Sequence, residues 1–214
     1  MAKDLQAYRK SYEKGELKDA LVSENPFVQF EQWFSVAEDS DAVDEANAMT
    51  LSTADASGMP RGRVVLLKEV TDEGFIFYTN YGSEKGKAIA VNDKVCISFF
   101  WEGLERQIII KGNATKISEE KSKAYFAQRP RKSQLGAVVS DQSEKIDSRD
   151  IIEERLAALE KQYKGLEMPK PKEWGGYLIK PLEFEFWQGR QSRLHDRIQY
   201  ALLNGEWEIS RLQP

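Results

Sequence analysis

Cations in this chain collect where acids do not. Residues 56–68 carry Arg61, Arg63 and Lys68 without a carboxylate, and residues 121–140 carry Lys121, Lys123, Arg129, Arg131 and Lys132, again without one. Arginine offers phosphate oxygens a planar fork, lysine a point charge, and hydroxyls such as Ser83, Ser133 and Ser143 can complete an oxygen shell. These windows read either as anion sites or as solvated basic faces. A third cluster lies near the C-terminus, where Trp187-Gln188-Gly189-Arg190-Gln191-Ser192-Arg193-Leu194-His195-Asp196-Arg197 packs an aromatic ring, three arginines and the only histidine into eleven residues. If extended, it sets Arg193, His195 and Arg197 on one face with period two. That face can hold a planar, anionic ring system between guanidinium and imidazole groups. The same residues can instead form surface ion pairs, with His195 against Asp196.

The elements that must position these groups are mostly strands. Asn25-Pro26 supplies an N-cap and a first-turn proline, followed by Phe27, Phe30, Phe34 and Ala37 on one helical face that should pack on a sheet. An acid-rich loop, 38–45, ends that helix. Short β-type runs follow at 48–54, 62–70, 74–79, 94–101 and 104–117, with Asp55-Ala56-Ser57-Gly58 and Thr71-Asp72-Glu73-Gly74 as turns. Helices are predicted over 83–91, 119–128 and 148–164, the last with Ile151, Ile152, Leu156, Leu159 and Tyr163 on one side. Leu182, Phe184 and Phe186 then alternate with Glu183, Glu185 and Trp187, and Asn204-Gly205 marks a hairpin between 198–203 and 206–210. Strand-dominated order without strand-helix alternation implies a mainly β fold with flanking helices, an antiparallel barrel, closed or split, rather than a doubly wound sheet.

Composition narrows the function. The 214 residues carry 31 Lys plus Arg against 35 Asp plus Glu, a net charge of −4, which excludes coating nucleic acid by bulk positive charge. One cysteine, Cys96, excludes an intrachain disulfide, and one histidine excludes a His-cluster metal site. Cys96 lies in an apolar run and reads as inert core, Trp33 and Trp101 as core or interface, and Trp207 as packing. Neither a signal-type apolar stretch nor a run of about 18 apolar residues is present, so a cytoplasmic protein is expected. Residues 1–24 read as an arm or lid, and 25–214 as one domain. GxGxxG and GxxxxGK[ST] are both missing, so a phosphate ligand must be held by side chains and loop amides.

Taken in order, Arg63-Val64-Val65-Leu66-Leu67-Lys68, Phe77-Tyr78-Thr79-Asn80, Leu104-Glu105-Arg106-Gln107, Tyr125-Phe126, Arg129-Pro130-Arg131-Lys132-Ser133-Gln134, Gln142-Ser143, Phe186-Trp187-Gln188-Gly189, Arg193-Leu194-His195-Asp196-Arg197 and the closing Arg211-Leu212-Gln213-Pro214 make a pattern. It resembles the pyridoxine (pyridoxamine) 5′-phosphate oxidase family over nearly the whole chain. The resemblance implies a split β-barrel homodimer with FMN at the subunit interface. It also implies oxidation of pyridoxamine or pyridoxine 5′-phosphate to pyridoxal 5′-phosphate, with hydride passing to flavin N5 and O2 reoxidising the flavin to give H2O2. By resemblance, FMN is contacted by Arg63, Val64, Val65, Leu66, Leu67, Lys68, Tyr78, Thr79, Lys85, Gln107, Gln142, Ser143, Trp187 and Arg197. The substrate falls to Lys68, Tyr125, Arg129 and Ser133 at its phosphate, and to Arg193, Leu194 and His195 at its ring, with Arg9 and Tyr12 closing from the arm. Arg193 and His195 are the expected catalytic pair, orienting the ring and handling a proton.

One position departs from the family pattern: an Arg-Lys pair is usual at the FMN phosphate, and here it is Glu84-Lys85. Glu84 is expected to turn to solvent, leaving Lys85 or Lys87 to cover the phosphate, with weaker FMN retention. The competing readings are a non-catalytic flavin or B6-phosphate binder and an oxidoreductase of the same barrel with another substrate.

Overall fold

A computed structural model describes residues 3–214. Helix α1 (Pro26–Glu38) begins as the sequence requires: Asn25 Oδ1 accepts from the Phe27 N–H at 2.9 Å, and Pro26 occupies a position that needs no donor. The strands are β1 (Ala48–Ala54), β2 (Pro60–Leu66), β3 (Glu69–Thr71), β4 (Gly74–Asn80), β5 (Lys94–Trp101), β6 (Arg106–Lys116), β7 (Trp174–Gln188), β8 (Asp196–Leu203) and β9 (Glu206–Leu212). Four more helices are α2 (Glu84–Val91), α3 (Glu119–Gln128), α4 (Arg131–Val139) and α5 (Arg149–Gln162). The sheet order is β2-β1-β5-β6-β7-β4-β3, with β8 pairing both β7 and β9. No helix of the described residues is long and apolar enough to cross a membrane.

Several expected boundaries move. The single run over 62–70 breaks into β2 and β3 because Leu67 turns into the core while Lys68 stays exposed and its N–H bonds Ile76 O at 2.8 Å. The run over 104–117 starts late, because Glu102–Leu104 form a 3₁₀ turn closed by Glu105 in the left-handed region, φ 56°. Helix α4 was not expected: Pro130 gives it no side-chain cap, and Gly136, Val138 and Val139 lower its intrinsic propensity. Packing holds it instead, through buried Leu135 and Val139, while Gln134 Nε2 donates to Phe126 O and Ala127 O at the end of α3. Strand β7 is fifteen residues long and changes phase within itself. Tyr177, Ile179 and Pro181 are buried, then Phe184, Phe186 and Gln188, so Leu182 is exposed rather than sharing the inner face of Phe184 and Phe186. Such a one-residue slip moves every later side chain to the opposite face.

The chain divides into two compact units. One comprises the residues to Thr50, Cys96–Lys111 and Pro181–Pro214. Its core sets α1 on strands: Phe30 meets Phe99 with ring centroids 5.4 Å apart, Trp33 meets Phe186 at 5.3 Å, and Phe186 meets Tyr200 at 5.6 Å. Trp101 is buried and donates to Ala46 O, and Trp207 lies edge-on to Phe184. The other unit comprises Leu51–Val95 and Gly112–Lys180. There Phe126, Leu135, Met168 and Trp174 are buried together, and Leu156, Leu159 and Tyr163 of the α5 stripe pack against them.

Candidate active site

In the second unit a cavity of about 680 Å³ opens between β2, β4, α2, α3 and α4. Arg63, Lys68, Lys85 and Arg129 line it, and no carboxylate does. Its aromatic side is a stack: Tyr78 and Tyr125 lie 3.8 Å apart at 15°, and Trp174 continues the pile 5.5 Å from Tyr78. Register explains the arrangement, since Tyr78 pairs with Gly176 and Asn80 with Trp174 across β4 and β7. A Cβ at Gly176 would stand 2.5 Å from Ile117 Cδ1 and 3.0 Å from the Tyr78 ring, so glycine there lets both side chains close over the strand. Burial above all pushes the Tyr78 phenol up to about 12, so it stays neutral.

Arg129 lies over Trp174, 4.8 Å from the ring centroid, and burial pushes its guanidinium down from the ordinary value. Its Nη1 is buried without a hydrogen-bond partner among the described residues. Ser133, one turn into α4, borders the same cavity. Lys85 is only 8% exposed and has no ion-pair partner among the described residues; its Nζ reaches Gln142 Oε1 at 3.1 Å, which Thr79 Oγ1 also reaches. Desolvation first, then the charge of Arg63, lowers the Lys85 pKa. Arg63 is held by Leu51 O and Thr53 Oγ1, at 3.1 and 2.8 Å. Val64, Val65 and Leu66 line the cavity, whereas the Leu67 side chain is buried in the core.

Arg63 also borders a second cavity of about 660 Å³, shared with Arg61, Glu84, Lys87 and Ser143. Ser143 is exposed and holds φ 76°. Glu84 is half-exposed and ion-paired with Arg61, and Lys87 is paired with Glu144 at 2.6 Å. Among the described residues Lys85 is therefore the cation left without an ion pair on this helix, and Arg61 neutralises the carboxylate that the sequence introduces.

The other unit holds the histidine. Tyr12, Trp187 and His195 form a ring cluster, with Tyr12 5.6 Å from His195 and 5.7 Å from Trp187, and Trp187 4.7 Å from His195. His195 Nδ1 accepts from the Arg190 N–H at 3.1 Å, which leaves the proton of the neutral ring on Nε2. Burial, then the nearby Arg193 charge, lowers its pKa below the ordinary histidine value. The period-two face does not form: Gln191–Arg193 are a 3₁₀ turn with φ 56° at Ser192 and 62° at Arg193, and strand begins only at Asp196. Asp196 does not pair with His195; it takes Arg190 at 3.2 Å and Arg211 at 2.9 Å. Arg197 is engaged by Glu185 Oε1 at 2.8 Å and by Gln213 O. Gln107 is half-buried in β6, while Arg9, Arg193 and Leu194 are exposed. Sequence reasoning missed Trp174 and Arg190. The first is signalled only by an aromatic preceding two glycines, and the second acts through its backbone, which carries no signal.

Residues 36–163 match the pyridoxamine 5′-phosphate oxidase family, and residues 174–214 match the pyridoxine 5′-phosphate oxidase C-terminal dimerisation region. The chain belongs to the pyridoxamine 5′-phosphate oxidase family. Membership places it among oxidoreductases. A pyridoxine/pyridoxamine 5′-phosphate oxidase of Christiangramia forsetii is 55% identical over 214 residues, covering both chains fully. That of Flavobacterium psychrophilum is 56% identical over 213 residues, 99% of this chain and all of its own. Among solved structures, PhzG from Burkholderia lata, in complex with tetrahydrophenazine-1-carboxylic acid, shares 27% identity at a TM-score of 0.86, covering 91% of this chain and 95% of its own. A pyridoxamine 5′-phosphate oxidase-related, FMN binding protein of Nostoc punctiforme shares the fold at a TM-score of 0.68, with 15% identity over 90% of this chain and all of its own. The fold is accordingly a split antiparallel β-barrel: the strand order led one to expect an antiparallel barrel, closed or split, and the family resemblance implied the split form.

Proposed function

We propose that the protein oxidises pyridoxamine or pyridoxine 5′-phosphate to pyridoxal 5′-phosphate as an FMN-dependent homodimer. The observation that carries the reading is Arg129: a half-buried guanidinium whose buried Nη1 has no hydrogen-bond partner among the described residues, in a cavity lined by four cations and no acid. Leaving such a donor unsatisfied is costly, and a phosphate ester satisfies it. Lys68, Tyr125, Arg129 and Ser133 together make a donor set for one phosphate. Arg63, Lys85, Gln142 and Ser143 make a second, and buried Lys85 without a carboxylate fits the FMN phosphate.

When bound, FMN supplies the hydride acceptor, and O2 takes the electrons on as H2O2. The protein contributes position and charge. The phosphate anchors fix the substrate along the cavity, and the Tyr78 and Tyr125 rings wall it, so that entropy lost on binding need not be lost in the reaction. Lys85 and Arg63 would hold the FMN phosphate and so fix the cofactor in the cavity. His195, with Nε2–H free to donate, and Arg193 orient the pyridine ring. Arg9 and Tyr12, on the arm of residues 1–24, close over the ring.

A visible spectrum tests cofactor and reaction together. The purified protein, loaded with FMN, is expected to be yellow, to bleach under anaerobic pyridoxamine 5′-phosphate, and to release peroxide on admitting air. A yellow protein that neither bleaches nor yields peroxide is instead a non-catalytic flavin binder.

A further inference from the structure

The backbone of the N-terminal arm is held by one buried side chain. Glu105, 2% exposed, directs Oε2 at two consecutive amides of the arm, accepting from Glu13 N at 2.7 Å and Lys14 N at 2.9 Å. No cation lies within ion-pair distance of it among the described residues, so these amides are the donors that compensate its burial. The other end of the same residue faces the strand that leads to the histidine. Glu105 O accepts from Gly189 N at 2.8 Å and from Gln188 Nε2 at 3.2 Å.

Two glycines make the contact close. A Cβ at Gly189 would stand 2.8 Å from Tyr12 Cγ, and one at Gly15 would stand 2.9 Å from Gln188 Oε1. Tyr12, one residue before the clasped amides, thereby rests against Gly189 and the rings of Trp187 and His195. The left-handed backbone of Glu105, φ 56°, points its side chain and its carbonyl to these separate partners.

We infer that Glu105 is a positioning residue: its carboxylate clasps the arm at Glu13 and Lys14 and so seats Tyr12 on the His195 ring. Glu105 lines neither of the two cation-bearing cavities described above. Its effect on turnover passes through Tyr12, and only that part rests on the substrate reading above.

Two variants of the full chain, loaded with FMN, test the clasp. Glu105→Asn tolerates the left-handed backbone but withdraws the acceptor by one methylene; Glu105→Gln keeps a carbonyl at the right reach. Tryptic cleavage after Lys14, followed by mass spectrometry, reads arm seating directly, and steady-state kinetics with pyridoxamine 5′-phosphate read its consequence. Glu105→Asn is expected to speed cleavage after Lys14 about tenfold, and Glu105→Gln to stay near the parent rate. KM should rise about tenfold in Glu105→Asn with a smaller change in kcat. Cleavage of Glu105→Asn at the parent rate, equal cleavage of both variants, or a released arm with unchanged KM would each overturn the inference. If the parent chain fails to turn the substrate over, the proposed function fails, and the cleavage rates still judge the clasp.

Discussion

His195 is tuned toward its uncharged form by burial and one neighbour acting in the same direction. Burial disfavours the imidazolium, and Arg193 repels it. The sign follows: with the pKa below the ordinary histidine value, the neutral ring persists to lower pH, and activity that depends on it should fall only on the acid side of that value. Arg193→Gln removes the repulsion and moves the His195 pKa up, so the acid limb of the kcat/KM profile should shift to higher pH. Both Arg193→Ala and His195→Ala should lower turnover, by about a hundredfold if orientation of the ring is lost, while the protein stays yellow. Full kcat and KM in either variant would remove that residue from the mechanism. At this scale the sequence told which residue types matter but not their posture. Arg193 and His195 were legible as a pair, whereas the positive φ at Ser192 and Arg193 that separates their directions is set by the turn into β8 and leaves no periodic trace.

Element by element, legibility tracked how local the cause is. The start of α1 was readable because Asn25 and Pro26 act on their own neighbours, and so was the hairpin, where Asn204 and Gly205 take φ 53° and 89° and set Leu203 opposite Glu206. Helix α4 and the phase change in β7 were not, because Leu135 and Pro181 are fixed by what packs on them. Helix α2 shows how close approach can reverse a propensity. Alanine ordinarily stabilises a helix interior by about 1 kcal/mol over glycine. At Gly86, however, an added Cβ would lie 2.1 Å from the Tyr81 carbonyl oxygen. Gly86→Ala should therefore destabilise, by about 1–3 kcal/mol, and displace Lys85 beside it. A thermal melt with Tm unchanged or raised would show that the loop before α2 gives way freely.

For the whole molecule, the net charge of −4 conceals its arrangement. Surface acids pair with Arg61 and Lys87 at one cavity while Arg63, Lys68, Lys85 and Arg129 are kept together at the other. Sedimentation should find particles of twice the 24.5 kDa chain mass, in keeping with the match of residues 174–214 to a dimerisation region; a monomer at micromolar concentration would contradict the proposed dimer. The four gathered cations repel one another, a cost the fold carries until an anion arrives. Affinity and heat resistance are then one quantity seen twice, since a ligand at a hundred times its Kd adds about 2.7 kcal/mol to the folded state. On the proposed function, the lifetime of this chain in a cell would be tied to the supply of its phosphate-bearing ligands, and scarcity would be felt as turnover of the protein as well as loss of activity.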